Sequence, residues 1–397
     1  MQRYDVTIVG GGSAGLTLAL LLAPLGLKVA LLEKGPMPQP AAPQFARVSA
    51  LNPASMRVLS TVGAWSGIAK SAQPYTAMRV WEADSFANID FSDAAGQPLG
   101  WICDNEQIRQ QLYLQIQQQA NIECLFDCDI SKLEQTEREV LVQTASGQLL
   151  LSQLLVGADG VNSFVRQQQQ LALTHWDYDQ QAIVAIINTQ LPHQQVARQV
   201  FLASGPLALL PLPGQQQCSI VWSAENAVAT ELMALSDTEF NQALTAASQS
   251  VLGCLSLNSA RQRFGLKMRY ASQWLRGRVL LVADAAHSIH PLAGQGMNLG
   301  LMDVAALAQI LAAQQQAGKP LAEHRALRHY ERWRKAEAQT LIAAMEAFKR
   351  GFSNDQHALK LVRGLGMSVL NKLPGVKQQI IAAALGNSGD LPDIARP

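Results

Sequence analysis

Tyr4-Asp5-Val6-Thr7-Ile8-Val9-Gly10-Gly11-Gly12-Ser13-Ala14-Gly15 opens this chain, an apolar β-branched run that passes directly into G-x-G-x-x-G. Gly10 allows the tight turn, Gly12 lets backbone approach a pyrophosphate, and Gly15 permits close helix–strand packing. The next stretch, Leu16–Ala23, reads as a buried helix that stops at Pro24, and Lys28–Leu32 reads as a second strand ending on Glu33. That carboxylate lies 18 residues after Gly15, near the spacing of an acid that accepts hydrogen bonds from a ribose. An acid at this position favours an unphosphorylated adenosine ribose, and hence FAD or NAD over NADP.

Far downstream, Gly277–Ala283 reads as a strand that ends on Asp284 and leads into a small-residue loop, Gly294-Gln295-Gly296-Met297-Asn298, which opens a helix. The two segments together predict one dinucleotide gripped by both ends of the chain. Between them the texture changes. After Gln170, short β-like runs at 182–189, 200–203, 207–211 and 218–223 alternate with Pro, Gly and Gln turns, as expected of an antiparallel sheet inserted into a dinucleotide fold. Helices are expected near 54–62, 106–119, 237–248, 298–312 and 321–350, and strands at 78–82 and 89–91.

The 397 residues suit two intimately connected domains. Apolar residues make up 48%, enough for a large core, while the 15% of charged residues falls below the usual quarter. A formal net charge of +1 gives no electrostatic case for a nucleic-acid partner. The five cysteines form no C-x-x-C pair, so neither a zinc site nor a redox dithiol is indicated, and they fit a reducing compartment. Asp5 interrupts any secretory leader, and no apolar run approaches a bilayer span. A cytoplasmic protein is expected, with peripheral membrane association left open by the C-terminus.

Three elements in order resemble the para-hydroxybenzoate hydroxylase family of flavoprotein monooxygenases. They are Gly10–Gly15, the "DG" element Gly157-Ala158-Asp159-Gly160, and the "GD" element Asp284…Pro291…Gly294-Gln295-Gly296-Met297-Asn298. Arg47–Asn52, Trp176-Asp177-Tyr178, Val196–Phe201, Cys218–Ser223 and His290–Gly296 narrow the likeness to the ubiquinone-biosynthesis branch, most similar to 2-polyprenylphenol hydroxylases of the VisC/UbiI type. The chain departs from the family at Ala283, where a glycine usually precedes the aspartate.

The resemblance implies an α/β fold: a Rossmann-like FAD-binding domain over residues 1–72, 101–170 and 276–350. A mainly antiparallel substrate domain would fill 73–100 and 171–275, and a helical C-terminal segment 351–397. It implies FAD as cofactor, NAD(P)H as reductant, and hydroxylation of a phenol ring by O2 through a C4a-hydroperoxyflavin. Gly10, Gly12, Ser13, Ala14 and Gly15 would hold the pyrophosphate, Glu33 would accept from the adenosine ribose with Lys34 also at the cofactor, and Arg47 and Arg109 would neutralise phosphates. Asp159 would serve FAD and NAD(P)H or simply cap the helix starting near Ser163. Asp284 would bind the ribitol, and Gly294, Gln295, Gly296, Met297 and Asn298 would offer backbone N–H groups to the flavin's pyrimidine edge. Pro291 would stand nearest the oxygen chemistry. His287 and His290, three apart without a metal-binding companion, read as loop-packing or hydrogen-bonding groups, with His290 also a candidate base for the phenol.

Phe201, Leu209, Pro211 and Trp222 of the inserted sheet are the expected substrate-pocket wall, suited to a polyprenylated phenol; as plain core they would pack the same sheet. Residues 356–389 combine Lys360, Arg363, Lys372 and Lys377 with dense apolar content and no acid. That segment would contact a membrane or a ubiquinone-biosynthesis protein complex, or else pack as a terminal helix pair. Two alternatives to the polyprenylphenol reading stay open: a hydroxylase of the same fold acting on another ring position or a small aromatic, and a non-catalytic flavin-bearing subunit.

Overall fold

Val6 and Ile8, both fully buried, sit in the strand Gln2–Val9 at the centre of an eight-stranded sheet. That strand runs parallel to Val29–Leu32 on one side and to Leu149–Gly157 on the other. The parallel run continues outward to Ile122–Leu125 and Val279–Leu281. Strands covered on both faces need apolar residues at every position, and Val29–Leu32 is buried throughout. The helices Ser13–Leu22, Asn105–Ile116 and Gln295–Gln316 pack on this core. The computed structural model describes residues 1–45, 47–83, 88–93, 96–288, 295–352, 385–386 and 388–397, with backbone alone over 344–352.

A second, nine-stranded sheet runs in the order 287–288, 262–271, 173–189, 217–225, 205–211, 196–202, 77–82, 88–92, with 255–257 at its side. It is antiparallel except where Val196–Leu202 pairs in parallel with Ala77–Glu82. One face carries Ile183, Leu207, Leu209, Ile220 and Trp222 against the helices Asn226–Ala234 and Asp237–Ala247. The other face turns toward a separate three-stranded sheet, Val48–Leu51, Gly100–Asp104 and Gln73–Tyr75.

The long strand Leu173–Thr189 begins nine residues ahead of its sequence expectation. Its first half is polar and largely exposed, so no apolar alternation marks it; an irregularity between Asp177 and Gln180 interrupts its pairing with Gln262–Ala271. The helix Asn226–Ala234 was not expected and has no side-chain cap bond to announce it. Among the described residues, Gln295–Gln316 alone is long and apolar enough to cross a membrane. Of its most apolar window, 72% is buried inside the protein, so core packing accounts for its composition.

Candidate active site

The glycine turn closes on its surroundings at two points. Gly10 has φ +112°, and a Cβ there would stand 2.3 Å from the Ala158 carbonyl oxygen; a Cβ on Gly15 would stand 1.9 Å from the Gly10 carbonyl. The strand, turn and DG element therefore meet backbone to backbone, which only glycine permits. Gly12 begins the helix Ser13–Leu22 with no side-chain cap, so the N–H groups of Ser13, Ala14 and Gly15 have no capping side chain and form an anion cradle. Glu33 is held at the mouth of the turn by the N–H groups of Gly11 and Gly35. Arg109 reaches the same turn and donates to the Gly11 carbonyl at 3.0 Å and to the Pro36 carbonyl at 2.9 Å. Lys34 goes elsewhere, into an exposed ion pair with Asp129.

In the DG element, Asp159 Oδ2 accepts from the Val165 N–H at 3.1 Å, while Ser163 caps the helix Phe164–Gln168 by accepting from Arg166 N–H. The capping role thus falls chiefly to Ser163, and Asp159 Oδ1 is buried without a partner among the described residues. Enclosure raises the Asp159 carboxyl above its ordinary value, against the lowering effect of the Ser163 and Val165 hydrogen bonds. Arg166 ties the two downstream elements together, donating to the carbonyls of Ala285 at 2.8 Å and Val161 at 2.9 Å.

The GD turn begins at Ala283, whose φ of +52° is left-handed, the conformation that glycine adopts more readily. Asp284 lines a cavity and is solvent-accessible; desolvation by the surrounding protein raises its carboxyl, the nearby Asp303 adds to this, and His287 and Arg47 draw it down. His287, read from sequence without an acid companion, meets the carboxylate of Asp303 at 2.6 Å. Gln295 lines the same cavity as Asp284, and Gly296 stands in open space. Met297 packs on the core. The Asn298 side chain braces the turn, accepting from Asn52 N–H at 3.0 Å and Ser55 hydroxyl at 2.7 Å and donating to the Ala50 carbonyl at 2.8 Å. His290, Pro291 and Gly294 lie outside the described residues, as do residues 356–384 and 387 of the C-terminal segment.

A cavity of about 340 Å³ opens between the GD turn and the second sheet. Its sheet wall is Val184, Ala208, Leu210, Val221 and Phe264, with Ser219 and Ser223 between them. None of the residues expected as the substrate-pocket wall, Phe201, Leu209, Pro211 and Trp222, lines this cavity. Side chains alternate across a strand, and Leu209 and Trp222 fall on the opposite face, packed with Phe240 and Leu244. Pro211 shares their parity on its strand, and Phe201 is taken up by Val80, Met78 and Phe91. Leu209 and Trp222 fill the helix-covered face, while Ala208, Ser219 and Ser223 leave room between the larger residues on the other.

The opposite wall, missed from sequence, is supplied by Tyr75, Ile102 and Asn105 of the three-stranded sheet region, with Val48 and Ala50. The Tyr75 hydroxyl has no hydrogen-bond partner among the described residues, and enclosure pushes its acidity constant up to about 12, so it is a donor at neutral pH. Arg47 stands exposed at the rim, stacked over the Phe264 ring at 5.5 Å. Arg198 also borders the cavity; its Nη1 donates to the carbonyls of His193 and Val196, while its Nε is buried without a partner among the described residues.

The cradle, the acid at the end of the second strand, the orphaned Asp159 oxygen and the concave face around Asp284 and Gln295 fit a flavin dinucleotide stretched from the turn to the cavity. The family model described as FAD binding domain matches residues 3–345. This chain belongs to that FAD-dependent monooxygenase family. Its relatives include the zebrafish (Danio rerio) mitochondrial ubiquinone biosynthesis monooxygenase COQ6, 33% identical over 96% of this chain and 90% of that protein. The ubiquinone hydroxylase UbiL of Rhodospirillum rubrum is also 33% identical, over 96% of this chain and 89% of that protein. The fold matches p-nitrophenol 4-monooxygenase PnpA of Pseudomonas putida at a TM-score of 0.79, with 19% identity over 98% of this chain and all of the other. It also matches OxyS anhydrotetracycline hydroxylase of Streptomyces rimosus at 0.72, with 22% identity over 98% and 77% of the two chains. Like other members of the family, this monooxygenase uses FAD, which places its redox chemistry in the cofactor and leaves binding and orientation to the chain.

Proposed function

We propose that this monooxygenase hydroxylates the ring of a phenol bearing an isoprenoid chain, in ubiquinone biosynthesis, with NAD(P)H as reductant and O2 as the oxygen source. The observation that carries this reading is the cavity: one wall is Val184, Ala208, Leu210, Val221 and Phe264, and its cations are the rim residue Arg47 and Arg198, whose Nη1 is bonded to backbone carbonyls and whose Nε is enclosed by protein. A small aromatic acid would require a free cation inside; an alkylated phenol requires apolar wall and one or two hydrogen bonds. The names of the 33%-identical relatives point the same way.

Bound FAD supplies electron acceptance from NAD(P)H and oxygen transfer to the ring. The chain's own residues have narrower tasks. Ser13 to Gly15 hold the pyrophosphate by backbone N–H, Glu33 receives the adenosine ribose, and Arg109 braces the turn they share. Asp284 takes the ribityl hydroxyls, and the Gln295–Asn298 segment offers its helix N-terminus to the flavin edge. Tyr75 donates to the phenol oxygen and orients the ring, and the apolar wall excludes water.

Peripheral membrane contact through 356–389, and membership of a biosynthetic complex, belong to the same reading, because a substrate tail dissolved in lipid must be lifted to a soluble site. The test is turnover: purified protein with NAD(P)H and O2 is given a prenylated phenol and, separately, 4-hydroxybenzoate. Hydroxylated product from the first at a kcat/KM at least tenfold higher supports the proposal; equal turnover of both overturns it.

A further inference from the structure

We infer that the buried carboxylate of Asp303 is a positioning group for the flavin site: gripped by His287 and Arg334, it holds the backbone N–H of Ala283 and so fixes the turn that presents Asp284. The inference rests on the proposal that Asp284 faces the flavin.

Asp303 is fully buried, on the helix Gln295–Gln316, two turns beyond the segment that lines the cavity. Both oxygens are engaged. Oδ2 accepts from the Ala283 N–H at 3.1 Å and meets His287 Nε2 at 2.6 Å, and Oδ1 accepts from Arg334 Nε at 2.8 Å. Burial alone would raise this carboxyl, but His287 and Arg334 together hold it below the ordinary carboxylate value. It therefore acts as an anion, and its three donors converge from a turn and a second helix.

The donors are themselves fixed. His287 is 2% exposed, and its ring lies 5.0 Å from that of Trp274. Trp274 is in turn held by its backbone N–H, which donates to Glu331 Oε1 at 2.7 Å. Glu331 and Arg334 belong to the helix His324–Phe352, so one helix anchors the indole beside the imidazole and the guanidinium beside the carboxylate. A buried ionic cluster of this kind adds little stability over an apolar core of the same shape; what it specifies is geometry.

The geometry in need of specification is adjacent. Ala283 is left-handed, a conformation an alanine resists and a glycine tolerates. Its peptide N–H points to Asp303, and its methyl lies where a Cβ on Gly300 would approach to 2.9 Å. Two positions one turn apart on a single helix, Gly300 and Asp303, thus receive the methyl and the N–H of the same alanine. Released from Asp303, the Ala283 peptide can rotate to a right-handed conformation, and the next residue along the chain is Asp284.

The test uses the full-length flavoprotein and two readouts, FAD dissociation followed by flavin fluorescence and the thermal midpoint of the flavin-free protein. Asp303→Asn is expected to weaken FAD at least tenfold. Adding Ala283→Gly is expected to restore affinity to within threefold of the parent, because glycine enters the left-handed turn without alanine's steric cost, while the midpoint stays as low as in Asp303→Asn. A merely structural cluster would lower the midpoint and leave FAD affinity within twofold, and that result overturns the inference; so does a double variant that binds FAD no better than Asp303→Asn. If Asp303→Asn does not fold, Arg334→Lys replaces it, with a loss of at least threefold that Ala283→Gly recovers, and absence of that recovery again overturns the inference. Asp284→Asn separates the two levels: unchanged FAD affinity there overturns the placement of the flavin itself, whatever Asp303 does.

Discussion

The backbone N–H of Gly11 donates to Oε2 of Glu33, so the acid at the end of the second strand is tied to the turn that follows the first. The other carboxylate oxygen accepts from Gly35 N–H at 2.7 Å. The acceptor is therefore set in place by two amides before any ribose arrives.

Glu33→Ala should weaken FAD about tenfold to a hundredfold. A hydrogen bond to a charged acceptor contributes about 1.5–3 kcal/mol, and each 1.4 kcal/mol is a factor of ten. Titration of the flavin-free protein with FAD, read by fluorescence quenching, measures it; a change below threefold would remove Glu33 from the cofactor site.

Gly12→Ala and Gly15→Ala should behave as opposites. A Cβ on Gly12 meets nothing within 4 Å, so the flavin-free protein should keep its thermal midpoint and lose only FAD affinity. At Gly15 the new atom would meet the Gly10 carbonyl, and backbone cannot yield as a flexible side chain can. Overpacking of this kind costs roughly 3 kcal/mol or more. Calorimetry of both variants without flavin distinguishes a ligand-facing glycine from a packing one.

The two faces of the second sheet make a paired prediction. Leu209 is fully buried among the helices, and Leu209→Ala should destabilise by about 2–5 kcal/mol while leaving KM for the phenol nearly unchanged. Ala208 is one residue away and lines the cavity, so Ala208→Leu should raise KM severalfold with little change in midpoint. Exchange of these two outcomes would reverse the assignment of the faces.

Asp284 carries a pH signature. Its folded-state carboxyl is raised by enclosure above the unfolded value of about 3.9, so the native flavin-free protein binds this proton more tightly than the unfolded chain. That contribution to stability is complete below the unfolded value and is lost as pH rises through the folded one. Asp284→Asn should therefore raise the midpoint of the flavin-free protein near neutral pH, with the gain shrinking toward about pH 4, while FAD binding weakens. Midpoints across that range decide it; a gain that grows on acidification contradicts the sign.

The dinucleotide half was legible because physics repeats itself there. Strands covered on both sides must be apolar at every position, and the Gly10 and Gly15 contacts admit no side chain. In the second sheet Leu209 and Trp222 face the helices rather than the cavity, since hydrophobicity alone does not say which face of a strand is covered by helices. Size would have served better: Ala208, Ser219 and Ser223 are the residues that leave a cavity. Asp303 and Arg334 were out of reach, because a buried carboxylate and an arginine 31 positions apart on two helices leave no local pattern. Tyr75 was hidden for a related reason, on a strand of three residues.

The parallel pairing of Ala77–Glu82 with Val196–Leu202 has a consequence for how the chain is made. A ribosome releases the first of these strands more than a hundred residues before its partner. At bacterial or eukaryotic elongation rates of about 5–20 residues per second, Ala77–Glu82 waits on the order of 10 s with one edge unclaimed. An unclaimed edge is a template for aggregation, and the nascent chain has only the short strand Asn88–Ser92 to cover the other side in the meantime. Synthesis order, more than final stability, is then where this protein is most exposed, and yield during expression should depend on translation speed between those two strands.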